Sequence, residues 1–179
     1  MSKIILNNEN LSKYNWFNLG GPAKFFFKPK SISDIREFLK SDSKLNKNIH
    51  VLGAGSNTLF RDGGFDGTIV KLGKEFAYTK VLEDGIIEVG AATLDKKVSD
   101  FAMENSIEGF EFLSCIPGTI GGGIKMNAGC FQREFKDILI SIQAIDFNGN
   151  IKTIPADKIS FQYRKIDLPK NNIFLSATF

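Results

Sequence analysis

His50-Val51-Leu52 runs straight into Gly53-Ala54-Gly55-Ser56-Asn57, and this junction decides how the first half of the chain is read. The triplet predicts a buried strand. Glycines directly after a strand let the backbone turn tightly and aim N–H groups at an anion with no Cβ in the way. Ser56 and Asn57 add side-chain donors, and a Cβ at Gly55 would crowd the bound group. The pattern is not the dinucleotide fingerprint, because Thr58 stands where a third glycine would fall. It is not a P-loop either, since no Gly-Lys-Ser/Thr follows. On these residues alone, a plain structural turn explains the loop as well as a phosphate cradle does.

Upstream, Ala23-Lys24-Phe25-Phe26-Phe27-Lys28 is an aromatic strand pattern ended by Pro29. Ser31 then caps a helix with Asp34 at its third position, and Ile32, Ile35, Phe38 and Leu39 share one face. The result is a β-α-β unit followed by a glycine loop, a first subdomain over residues 1–72. The basic stretch Lys40 to Lys47 also carries Asp42 and no interleaved aromatics, so it reads as a solvated helix end and loop.

Residues 73–179 have a different rhythm and form a second subdomain. Val81 to Val89 is two strands around Asp84-Gly85, a strong hairpin signal. Thr93 caps a helix whose apolar face is Leu94, Val98, Phe101 and Ala102. Ile138, Ile140 and Ile142 alternate as in a strand with one buried face. Asn148-Gly149 turns the chain into Ile151 to Ile154, and Ile173 to Phe179 is a further strand. The fold class is α+β, with two packed α+β subdomains.

Composition narrows the function. The 179 residues carry 23 Lys+Arg against 20 Asp+Glu, a net charge of +3, which gives no footing for nucleic acid. No apolar run approaches the ~20 residues that span a bilayer, and the first residues lack the apolar stretch of a signal peptide. A cytoplasmic protein with no membrane partner is therefore expected. Cys115 and Cys130 are the only cysteines and His50 the only histidine, too few for a disulfide scaffold or a Cys/His metal centre. No metal site is expected.

The second glycine-rich segment is more specific. It runs Cys115-Ile116-Pro117-Gly118-Thr119-Ile120-Gly121-Gly122-Gly123-Ile124-Lys125-Met126-Asn127-Ala128-Gly129. Pro117 is suited to opening a helical turn. Gly122 and Gly123 would leave a bare backbone surface at an entropic cost of about 0.5–1 kcal/mol per glycine. A flat ligand against the main chain, or a close helix–strand contact, would offset it. One loop suited to a diphosphate and one to a planar ring together point to a dinucleotide such as a flavin.

Six blocks now carry a resemblance: Tyr14 to Ala23, Leu52 to Leu59, Arg61 to Gly67, Ile116 to Gly122, Met126 to Gly129, and Tyr163-Arg164. In this order they resemble the UDP-N-acetylenolpyruvoylglucosamine reductases along almost the whole chain. The resemblance implies the FAD-binding fold of the vanillyl-alcohol-oxidase (PCMH) type. It implies that Gly53, Ala54, Gly55, Ser56 and Asn57 hold the FAD diphosphate, with Thr58 also among the cofactor-binding residues. It also implies that Ile116, Pro117, Gly118, Thr119, Gly122, Gly123 and Asn127 line the cofactor. FAD would be the cofactor and NADPH the co-substrate. The substrate would be UDP-N-acetylglucosamine enolpyruvate, reduced to UDP-N-acetylmuramate for peptidoglycan, by a protein expected to be monomeric.

Arg164 matches the family arginine that supports the enolate-like intermediate, a role suited to a planar, always-charged donor pair. Without the resemblance it reads as a surface strand arginine. Family members continue into a domain that binds the substrate and supplies a serine acid and a glutamate. The match stops at Phe179, so that domain is expected to be absent, and neither Ser160 nor Glu134 is given those roles. Cys115, Gln132-Arg133 and Lys165-Ile166 depart from the family pattern. Cys115 reads as an inert small hydrophobe or as a residue tuning the flavin. The open alternatives are a non-catalytic flavin-binding module and a domain whose glycines serve packing alone.

Overall fold

The computed structural model describes residues 5–41, 45, 48–83 and 85–179. The chain divides into two units, Met1–Glu75 and Phe76–Phe179. Most of the basic stretch Lys40 to Lys47, and the Asp84 of the hairpin turn, lie outside the described residues.

In the first unit the strands are β1 (Ile5–Asn10), β2 (Pro22–Phe27), β3 (Ile49–Val51) and β4 (Phe65–Val70), ordered β1-β2-β4-β3. β1 runs antiparallel to β2, whereas β2, β4 and β3 are mutually parallel, with Phe27, Val70 and Val51 in register. The aromatic run fills both faces of this sheet, because successive side chains alternate. Phe26 stacks on Tyr14 at 4.4 Å and joins Leu11, Ala23, Leu52, Phe60 and Ile69 in one core. Phe27 stacks at 4.3 Å on Phe38 of helix α1 (Ile32–Lys40) on the other. Each such side chain gains roughly 1.5–3 kcal/mol by burial. The Ser31 side chain caps α1 by accepting from the Asp34 N–H at 3.1 Å, and Ile35, Phe38 and Leu39 are buried.

One reading of this unit needs correction, and one strand was not anticipated. β3 is the sheet's last strand, so His50 and Val51 are exposed rather than buried. β1 had no hydrophobic signal: Ile5-Leu6-Asn7-Asn8-Glu9-Asn10 is an edge strand whose polar side chains face water.

The second unit holds β5 (Thr79–Glu83), β6 (Ile86–Gly90), β9 (Ser141–Asp146), β10 (Ile151–Pro155) and β13 (Asn172–Thr178) in one antiparallel sheet, ordered β10-β9-β13-β6-β5. Two hairpins accompany it, β7 (Gly129–Cys130) with β8 (Arg133–Glu134), and β11 (Ser160–Gln162) with β12 (Lys165–Asp167). The helices are α2 (Asp95–Glu104) and α3 (Ile120–Lys125). Phe135 sits at the centre of an aromatic cluster, with Phe112 and Phe179 each 6.1 Å away.

Three local expectations fail here. Thr93 does not cap α2; its hydroxyl donates to the Tyr78 carbonyl at 3.0 Å, and Leu94 stands exposed at the helix entrance. Pro117 opens no helix, since α3 begins at Ile120 behind Thr119. Ile140 is exposed, and the buried positions of that stretch are Leu139, Ile142, Ala144 and Ile145, because β9 starts only at Ser141.

Candidate functional site

The first glycine loop leaves β3 at the carboxyl edge of the parallel strands, where ligands of open parallel sheets gather. Gly55 sits at φ +74° and its carbonyl accepts the Trp16 N–H at 3.1 Å. A Cβ there would fall 2.1 Å from the Tyr14 carbonyl oxygen. The neighbouring backbone by itself therefore already demands glycine at position 55. Asn15, nearly buried, holds that neighbour in place by donating to the Leu11 and Leu19 carbonyls at 2.8 Å each. What the loop leaves for a ligand are its donors. Among the described residues, the N–H groups of Ala54, Gly55, Ser56 and Thr58 donate to no protein acceptor. Such a row of unpaired N–H groups is a nest for an anion.

Sequence reasoning missed the lysine beneath this loop. Lys71 follows β4, and its ammonium donates to the Gly53 carbonyl. Burial, with the charge of Lys28 added, holds that ammonium below the ordinary lysine range. Its sequence signal was only a cation directly after a strand.

The second segment is mostly scaffold. The Ile120 and Gly121 N–H groups donate to the Thr93 and Ala91 carbonyls at 2.9 Å, and a Cβ on Gly121 would stand 3.1 Å from the Ala91 oxygen. A Cβ on Gly123 would strike the Phe135 ring at 2.3 Å. Gly123 is therefore a buried packing glycine, which corrects the reading that pairs it with Gly122 as a bare surface. Gly122 is exposed, with only the Thr119 hydroxyl within 4 Å of a notional Cβ, at 3.5 Å. Ile116 and Pro117 are half-buried and exposed, and Thr119 is buried.

Gly118 faces the second group the sequence did not flag. Asp95 is fully buried at the start of α2, and neither carboxylate oxygen has a hydrogen-bond partner among the described residues. A Cβ on Gly118 would lie 2.6 Å from Asp95 Oδ2. Burial alone pushes this carboxyl up to about 8, so it holds a proton at neutral pH.

Asn127 also departs from its expected role. Its side chain is fully buried and donates to Glu134 at 3.0 Å and to the Gln162 carbonyl at 3.2 Å, and its oxygen accepts the Lys136 N–H at 3.1 Å. It latches three segments together and has no donor left for a cofactor. Arg164 is exposed in the two-residue loop of the β11–β12 hairpin, at φ +55°. A left-handed non-glycine residue carries strain of about 1–3 kcal/mol. Its Nη2 donates to the Gly129 carbonyl at 2.9 Å, and its guanidinium lies 5.2 Å from the Tyr163 ring centre. Glu134 belongs to the same cluster. The Lys136 ammonium chiefly, with Asn127 and Arg164, holds its carboxyl below the usual range.

Among the described residues no helix is long and apolar enough to cross a membrane. A parallel-stranded unit whose glycine loop leaves N–H groups suited to an anion is followed in sequence by an antiparallel unit with one open helical glycine, Gly122, features of the kind a flavoprotein domain needs. The family described as FAD binding domain matches residues 23–155, and the chain belongs to it. Along 95% of its length the chain is 58% identical to the UDP-N-acetylenolpyruvoylglucosamine reductase of Pelagibacter ubique, covering 56% of that protein. It is 28% identical to the crystal structure of the corresponding reductase from Thermus caldophilus, with a TM-score of 0.81 over 97% of this chain and 59% of that one. The chain thus spans about half the length of the curated relatives it matches. Likeness to p-cresol methylhydroxylase, at a TM-score of 0.65 and 14% identity over 98% of this chain and 40% of that one, shows the fold alone. The fold is the PCMH-type FAD-binding fold anticipated from the motifs.

Proposed function

We propose that this chain is the FAD-binding part of a UDP-N-acetylenolpyruvoylglucosamine reductase. The observation that carries the reading is that, among the described residues, the N–H groups of Ala54, Gly55, Ser56 and Thr58 donate to no protein acceptor, on the motif shared with that family. This nest would hold the diphosphate of FAD, and Ser56 and Asn57 would add side-chain donors. The open backbone at Gly122 would lie against the flavin, with Ile116, Pro117, Gly118 and Thr119 shaping that side. Bound FAD would accept hydride from NADPH and deliver it to the enolpyruvyl double bond of UDP-N-acetylglucosamine enolpyruvate.

Arg164 would act on the substrate. As hydride reaches one carbon of the enol ether, negative charge moves toward the carboxylate, where a fixed guanidinium is most effective. The contacts to Gly129 and Tyr163 hold that group in one place, so little ordering is needed when substrate arrives. The protein would work as a monomer in the cytosol, feeding cell-wall precursor synthesis.

The purified chain should carry a flavin absorption band, released as FAD on denaturation. Under anaerobic conditions NADPH should bleach that band. A colourless chain that cannot be loaded with added FAD would refute the proposal. Bleaching by NADPH without later reoxidation by the enolpyruvyl substrate would favour a flavin-binding module with no chemistry of its own.

A further inference from the structure

The carboxyl edge of the parallel strands gathers three features. The loop Gly53 to Asn57 follows β3, Lys71 follows β4, and Lys28 follows β2. Their register is fixed: Phe27 and Val51 both pair with Val70, the Lys71 N–H donates to the Phe27 carbonyl at 3.0 Å, and the Leu52 N–H donates to the Val70 carbonyl at 2.8 Å. Lys71 is half-buried and reaches the Gly53 carbonyl, at the mouth of the anion nest. Among the described residues no carboxylate forms an ion pair with Lys71 or with Lys28.

A half-buried ammonium with a second cation nearby and no counter-ion is unfavourable on its own. Proteins place such charge where a ligand supplies the opposite sign. We infer that Lys71 and Lys28 form the charge pair that neutralises the diphosphate held by the Gly53 to Asn57 loop, Lys71 from beneath and Lys28 from the strand beside it. Lys71 also orients the loop through the Gly53 carbonyl, so its role is both electrostatic and positioning. The inference rests on the proposed FAD reading and adds to it two residues outside the shared motifs.

The test compares FAD, ADP and riboflavin binding to the full chain and to Lys71→Met, Lys71→Arg and Lys28→Met, each across 0.05–0.5 M NaCl (salts of roughly the range over which exposed charges become screened). Lys71→Met should weaken FAD and ADP by about tenfold to a hundredfold, as expected for losing a charged contact, and flatten their salt dependence. Riboflavin, which has no phosphate, should bind as to the parent chain. Lys71→Arg should restore most of the affinity. Among the described residues the exposed Lys28 side chain makes no hydrogen bond or ion pair, so Lys28→Met should leave the melting temperature unchanged yet cost a few-fold in FAD affinity.

Equal weakening of FAD and riboflavin by Lys71→Met would overturn the inference, since it would make the lysine purely structural. So would unchanged FAD affinity and salt slope in both methionine variants. Should Lys71→Met fail to fold, acylation of Lys71 in the parent chain decides the matter: ADP must protect it, and lack of protection refutes the role. A parent chain that binds neither FAD nor ADP overturns the proposed function itself, a result distinct from all of these.

Discussion

The two glycine-rich stretches look alike in sequence and differ in what their glycines do. In the first loop one glycine, Gly55, is fixed by the Tyr14 backbone, and among the described residues the N–H groups of Ala54, Gly55, Ser56 and Thr58 donate to no protein acceptor. In the second, Gly118, Gly121 and Gly123 are each closed off by Asp95, Ala91 or Phe135, and Gly122 alone of the helix faces open space. The unpartnered side chains also differ in kind. Among the described residues, Lys71 and Lys28 pair with no carboxylate at the first loop, while Asp95 is a buried carboxyl without a hydrogen-bond partner behind the second, held neutral by its burial. A glycine-rich motif is thus part scaffold and part binding surface, and only the neighbours of each glycine separate the two.

The largest expected effect attacks the scaffold of the first loop. Gly55→Val adds a side chain 2.1 Å from a carbonyl oxygen at φ +74°, so the first unit should lose at least about 3 kcal/mol. Urea melts and flavin retention should fail together. A stable Gly55→Val variant that merely binds less FAD would restore the phosphate explanation for that glycine.

Asp95 gives the next effect, and its sign is opposite to that of a paired carboxylate. The folded carboxyl titrates near 8, well above its ordinary value of 3.8. The native state therefore binds more protons than the unfolded one between those values, and stability falls as pH rises through that window. Asp95→Asn should remove the decline, becoming more stable than the parent by a few kcal/mol at pH 9 and by least at pH 4. Parallel stability–pH curves for the two proteins would show that Asp95 is charged and partnered.

A smaller effect is expected at Gly123. Gly123→Ala should cost about 1–3 kcal/mol by overpacking against Phe135, and Phe135→Leu should recover part of that loss in a double-mutant cycle. Additive losses would mean that the ring moves freely. Smallest of all is Gly122→Ala. The fold should gain up to about 1 kcal/mol from helix propensity, measured by thermal melting. Flavin affinity should drop if this face meets the ring, and unchanged affinity would leave the second stretch as scaffold throughout.

Much of the architecture was legible because it rests on local rules. Ser31 with Asp34, Gly85 at φ +78°, and Gly149 at φ +86° each do what their residue type predicts. β1 was illegible because an edge strand needs no apolar alternation. Thr93 misled because its hydroxyl found a carbonyl outside the helix, a choice made by tertiary contact. The site was legible as motifs and less so as roles. Asn127 belongs to a motif, yet its amide is consumed inside the protein. Lys71 and Asp95 sit outside the phosphate and flavin motifs, and their importance comes from missing partners, which a sequence does not display.

The order β10-β9-β13-β6-β5 has a consequence for how the second unit is made. β5 with β6 and β9 with β10 form separate hairpins, and in this sheet β13 alone stitches them together. A ribosome must therefore deliver Asn172–Thr178 before the sheet closes, and until then each hairpin keeps an open edge. Such long-range closure is slow, and open edges invite pairing with other chains. The nascent second unit is thus the stage at which crowding, heat or a chaperone shortage would act, while the parallel strands of the first unit are already out of the tunnel.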